Sequence, residues 1–134
     1  MSLDFYVYVP EQRAYVRENG TTAPMLEENT ELCECIHIAN ITHNMGEMAR
    51  HVPVSDTLTL YNVLWRPDES NLKTTDDIME YVTMGLKFMS EHFSELLQYN
   101  PDNGWGSYEG LVTFTKRVLG ACLLYPRCLI EANR

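Results

Sequence analysis

No apolar run in the sequence approaches the ~18 residues that a membrane-spanning helix needs, and no charged segment followed by an apolar stretch opens the chain. The expectation is a cytoplasmic protein with no membrane association. A cluster of Lys and Arg is lacking as well: 10 basic residues stand against 19 acidic ones, for a formal net charge of −9. Such a chain repels phosphate backbones at long range, so no direct nucleic-acid binding is expected. The four cysteines, Cys33, Cys35, Cys122 and Cys128, lack the paired C-x-x-C spacing of a zinc site. They read as buried, reduced thiols. Also missing are a P-loop, a G-x-G-x-x-G turn, an H-E-x-x-H helix and a G-x-S-x-G elbow. His37, His51 and His92 have no ligand spacing with one another. No cofactor and no metal are expected.

What is present is an ordinary globular composition, 45% hydrophobic and 22% charged over 134 residues, enough for a single domain with one core. The acids gather in two places. Residues 1–35 carry seven acids against Arg13 and Arg17, and residues 76–100 carry five against Lys87. Runs of this kind are ordinarily solvated faces. The sharper reading is mimicry of a nucleic acid to block a basic partner, which would make this an acidic interaction or inhibitor protein acting on a basic host protein.

Along the chain, "LDFYVYV" at 3–9 is rich in aromatic and β-branched residues and predicts a strand. "RAYVR" at 13–17 fits a short strand pairing back on it, "ENG" at 18–20 a turn, and 21–30 a loop. "LCECIHI" at 32–38 is a further strand, with Leu32, Glu34, Ile36 and Ile38 on one face and Cys33, Cys35 and His37 on the other. Either face fits the core. Asn44 followed by Glu47 has the form of a capping signal for a short helix from Met45 to His51. "SDTLTLYNVLW" supports another, with Leu60 and Leu64, and Tyr61 and Trp65, one turn apart.

Thr74 with Asp77 opens the longest helix, whose stripe Ile78, Val82, Leu86, Met89, Phe93 follows the 3.6-residue period and breaks near Ser90. Ser107 caps the last helix, with Leu111, Phe114, Val118 and Cys122 on one stripe; "RCLIE" forms a terminal strand. Strands first and helices behind them predict an α+β fold: a small antiparallel sheet of about three to four strands packed with about four helices.

Three polar–aromatic clusters interrupt this pattern. Asn40, Thr42, His43 and Asn44 lie where a strand runs into a helix, a junction that gathers side chains and free amide N–H groups. Trp65 and Arg66 stand in "LWRP", where the planar guanidinium suits a carboxylate or phosphate. "NGWGSYE", from Asn103 to Glu109, sets Trp105 between two glycines in a turn; Trp105 is either a stacking surface or a plug over the core.

If the clusters converge, Trp65, Trp105 and Tyr108 supply ring faces, and Asn40, Thr42, His43, Asn44, Arg66, Asn103 and Glu109 supply polar contacts. That set suits a small polar, nucleotide-like ligand. His43 with Glu109 also fits an acid–base pair of a hydrolase or transferase, with Arg66 stabilising an anion. Self-association and a host protein are the other partner classes left open.

The same clusters resemble a family of small proteins of bacteria and their viruses. The shared pattern is Asn40 to Asn44 with Met48-Ala49, Leu64 to Pro67, Asn103 to Glu109, Ala121-Cys122 and Tyr125-Pro126, covering about residues 36–130. The segment Val52 to Leu60 is longer and holds less glycine than the family pattern, and the chain ends "EANR" in place of Ser-Arg. The resemblance implies a common architecture, a common polar site and a bacterial or phage cytosolic origin; it implies no particular reaction.

Overall fold

The computed structural model describes residues 1–10, 15–18, 21–24 and 33–134. They form an α+β fold. Strand β1 (Ser2–Pro10) is the centre of a three-stranded antiparallel sheet, flanked by β4 (Cys33–Thr42) and β5 (Leu129–Asn133). Five α-helices complete it: α1 (Gly46–Arg50), α2 (Leu60–Trp65), α3 (Thr75–Glu91), α4 (Phe93–Leu96) and α5 (Tyr108–Leu124). Among the described residues no helix is long and apolar enough to cross a membrane.

The sheet presents Leu3, Phe5 and Val7 to the core, all fully buried. Alternation along β1 makes this possible, because every second residue is apolar and inward. On β4 the pairing slips between Phe5 and Tyr6: Phe5 faces Ala39 but Tyr6 faces His37, leaving Ile38 as an extra residue. A bulge of this type reverses which residues point inward. Ile36 is therefore opposite Val7 on the core side, and past the bulge Ala39 and Ile41 take over opposite Phe5 and Leu3. The isoleucine face is inward only up to the bulge. Opposite it, Cys35 and His37 are exposed.

Several expectations are corrected at the edges of elements. Of "RAYVR", the described residues Tyr15 to Arg17 belong to β2 (Tyr15–Glu18), which pairs not with β1 but with β3 (Thr21–Pro24) in a separate two-stranded sheet. Residues 21–24 are thus strand and not loop, following Asn19-Gly20, the dipeptide that two-residue hairpin connections favour. The rest of that loop, 25–30, and the turn at 19–20 lie outside the described residues, as do Arg13, Ala14 and Leu32. Asn44 does not cap: Thr42 Oγ1 accepts from the Asn44 N–H, at 3.4 Å. Helix α2 starts only at Leu60. Ahead of it, Ser55 Oγ accepts from the N–H groups of Thr57 and Leu58, a local turn that competes with helix.

The two long helices start where the sequence places them, but Phe93, expected on the apolar stripe of α3, lies beyond the break in α4 and is exposed. Thr74 Oγ1 accepts from the Asp77 N–H, and Asp77 Oδ2 accepts from the Thr74 N–H at 3.0 Å, the reciprocal capping box. The break after α3 falls at His92, two residues past Ser90. Ser107 Oγ accepts from the Gly110 N–H at 3.1 Å, and Leu111, Phe114, Val118 and Cys122 are all buried. Thr75, fully buried, clasps the far end: its hydroxyl donates to the Tyr125 carbonyl at 2.7 Å and accepts from the Cys128 N–H at 3.2 Å.

The cysteines divide. Cys122 and Cys128 are buried, and burial pushes their thiols up to about 12 and about 11. Cys35, expected inside, is exposed because the bulge leaves it on the outer face. A neutral-pH alkylation of the folded protein, read by mass spectrometry, is expected to modify Cys35 while sparing Cys122 and Cys128. Labelling of Cys122 as fast as Cys35 would contradict the packing described.

Candidate functional site

The strand-to-helix corner after β4 holds the site together. Trp65, at the end of α2, is 2% exposed; its ring stacks on Tyr61 at 5.6 Å between centroids and tilts against Phe114 at 6.3 Å. Its indole Nε1–H donates to His43 Nδ1 at 3.1 Å. An indole nitrogen can only donate, so Nδ1 must accept and His43 carries its proton on Nε2. The bond therefore sets the tautomer, and leaves an N–H as the outward-facing function of the imidazole.

Around His43 lies a recess of about 560 Å³, lined by Met1, His43, Asn44, Gly46, Glu47, Arg50, Tyr61, Trp65, Arg66 and Arg134. Three arginines, Arg50, Arg66 and Arg134, line it. Arg66 donates from Nη1 to Glu69 at 2.8 Å and from Nε to the Tyr61 hydroxyl at 3.4 Å. The Tyr61 contact, and then Glu69, raise the Arg66 pKa; the Arg66 contact lowers that of Tyr61 against the effect of burial. Arg134 donates from Nη1 to the Trp65 carbonyl at 2.9 Å and to Asp68 at 2.8 Å, which holds the Asp68 carboxyl below its usual range. The Arg50 guanidinium lies over the Tyr61 ring at 4.1 Å, and its nearest carboxylate, Glu47, is 3.9 Å away.

A second recess of about 680 Å³ lies on the other side of the same corner. It shares Met1, His43 and Asn44 with the first and adds Ser2, Asn40, Thr42, Asn103 and Trp105. Here the glycines around Trp105 explain themselves. Gly104 and Gly106 both have positive φ, +75° and +109°, where a side chain is strained. Asn103 Oδ1 accepts from the Trp105 N–H at 3.0 Å, and Asn44 Nδ2 donates to the Trp105 carbonyl at 3.4 Å. A Cβ on Gly106 would stand 2.7 Å from Met45 Sδ and 2.9 Å from Thr42 Cγ2. The loop is thus packed on the corner by its backbone, while the Trp105 ring stays 69% exposed.

Comparison with protein-family models, curated proteins and solved structures finds no match.

The fold brings His43, Asn44, Trp65 and Arg66 to one recess, and Asn40, Thr42, His43, Asn44, Asn103 and Trp105 to its neighbour. It does not bring every expected residue there. Of the three aromatic rings, Trp105 alone presents an open face. Trp65 is inside, and Tyr108 is buried with its hydroxyl donating to the Met89 carbonyl at 2.8 Å and its ring against Phe93. Asn40 donates to Asp4 at 2.8 Å and to Ser2 at 2.9 Å. Glu109 lines a third, smaller recess with Asn40 and Arg117, separate from the one that holds Arg66. Sequence reasoning missed Arg50, Tyr61 and Arg134. Tyr61 carried a signal, its one-turn spacing from Trp65; Arg134 carried none, since only the register of β5 places it beside Asp68.

Proposed function

We propose that this chain is a binding module for a small anionic, nucleotide-like ligand, held in the arginine recess without chemistry. One observation carries the reading: in a chain of net charge −9, three of seven arginines converge with His43 on a single cavity. Its volume falls in the range of small-molecule sites. Guanidinium groups bind phosphate and carboxylate oxygens with two parallel hydrogen bonds, and the Nε2–H of His43 adds a donor of the same sense. Three arginines and one histidine outnumber the single carboxylate, Glu47, in the lining, which favours an oxyanion.

Proton transfer between His43 and Glu109 is the weaker reading. The two residues line different recesses, and Nδ1 of His43 already accepts from Trp65. The resemblance to small bacterial and phage proteins extends the binding proposal: sequestering a nucleotide signal in the cytoplasm would need recognition and no turnover.

Thermal denaturation with a panel of nucleotides, inorganic phosphate and sugar phosphates tests the proposal. A ligand at a hundredfold excess over its dissociation constant adds ~2.7 kcal/mol of stability. Arg50→Ala, the guanidinium with the longest carboxylate contact, is expected to weaken binding by roughly 10- to 100-fold, the worth of a charge-assisted hydrogen bond. A ligand recovered with altered mass would favour the enzyme. No shift across the panel, together with salt-sensitive capture by one basic protein, would favour an interaction protein acting through the acidic faces.

A further inference from the structure

We infer that the recess beside Trp105 is the ring-binding half of the same site, so that the ligand is a nucleoside monophosphate lying across the His43–Asn44 corner; this rests on the anion reading above. The two cavities are not independent, because His43 and Asn44 line both. On one side stand Arg50, Arg66 and Arg134; on the other stands an indole 69% exposed. A Gly-x-Gly turn and two side-chain hydrogen bonds to its backbone fix Trp105 with most of its surface open to solvent. It has the properties of a stacking platform: a fixed backbone, an open face, and amide and hydroxyl groups from Asn40, Thr42 and Asn103 around the rim.

Met1, His43 and Asn44, which line both recesses, join the platform side to the arginine side. The charge limits the ligand. Glu47, Glu69 and Asp68 each stand within ion-pair distance of one of the three arginines, at 3.9, 2.8 and 2.8 Å. Their partial neutralisation of the recess suits a single phosphate, and a polyphosphate tail would meet the carboxylates. The Nε2–H of His43, at the junction, donates to the sugar or to its phosphate ester.

The test is titration of the folded protein with AMP, UMP, adenosine, ATP and inorganic phosphate, followed by calorimetry and by the fluorescence of the exposed tryptophan. Trp105→Leu, a change at the surface, is compared with Arg50→Ala, and the melting temperature of each confirms folding. The expected result is that a monophosphate binds and quenches emission, that Trp105→Leu weakens it roughly tenfold, and that binding of phosphate itself is unchanged. Arg50→Ala weakens both. If Trp105→Leu leaves monophosphate affinity intact while Arg50→Ala lowers it, the ring half is overturned and the anion site stands. ATP binding more than tenfold tighter than AMP overturns the single-phosphate assignment. If neither phosphate nor any nucleotide binds the unaltered protein, the anion reading falls and this inference with it.

Discussion

Trp65→Ala is expected to cost about 3–5 kcal/mol, the range for deleting a large aromatic from a well-packed interior. The ring is 2% exposed and lies between Tyr61 and Phe114, so its loss opens a cavity in the middle of the core. The Nε1–H bond to His43 goes with it, and with that bond the constraint on the imidazole tautomer. Chemical denaturation should show a lower midpoint with an unchanged slope, and a fall in Tm on the order of 10–20 °C. Trp65→Phe separates the two effects. It keeps most of the packing and loses the bond, so it should cost less stability yet still release His43. A Trp65→Ala variant within 1 kcal/mol of the unaltered protein would mean that the ring is not where the fold places it.

Gly106→Val should be nearly as damaging, at roughly 3–5 kcal/mol, from two additive sources. A β-branched residue at φ +109° costs about 1–3 kcal/mol in backbone strain, and a Cβ 2.7 Å from Met45 Sδ forces overpacking of similar size. Gly104→Ala is the natural control. It too has positive φ, but nothing lies within 4 Å of the added carbon, so the loss should stay near ~1 kcal/mol. Denaturation of the two variants side by side decides the matter. Equal losses would show that close approach to Thr42 and Met45 contributes nothing, and that the Trp105 loop is held by its glycines alone.

Which parts of this architecture are readable in the residues follows from how local the causes are. The caps of α3 and α5 depend on side chains three positions from the amide they bind, Thr74 with Asp77 and Ser107 with Gly110, so spacing alone reveals them. The stripe from Leu111 to Cys122 is read the same way. The bulge at Phe5–Tyr6 is different. It arises from register against a distant strand, and it decides which face of β4 is buried and that Cys35 is outside. Hydropathy also cannot separate the two tryptophans, one buried and one 69% exposed, since the difference lies in what packs around each.

The candidate site divides on the same line. His43, Asn44, Arg66, Asn103 and Trp105 stand out because polar and aromatic residues break an otherwise regular apolar pattern. Arg134 does not, because its role depends on β5 bringing it to Asp68, 66 positions away in sequence. Tyr108 carried the opposite error. It belongs to the motif but turns inward to bond the Met89 carbonyl.

The order of strands has a consequence for biosynthesis. β1 is made well before β5, yet it is the inner strand, and one of its two neighbours is β5. Tyr8 must wait for Glu131, 123 positions later, before that side is covered. Until then the nascent strand carries an open hydrogen-bonding edge and exposes Leu3, Phe5 and Val7, which makes it a natural client for holding chaperones.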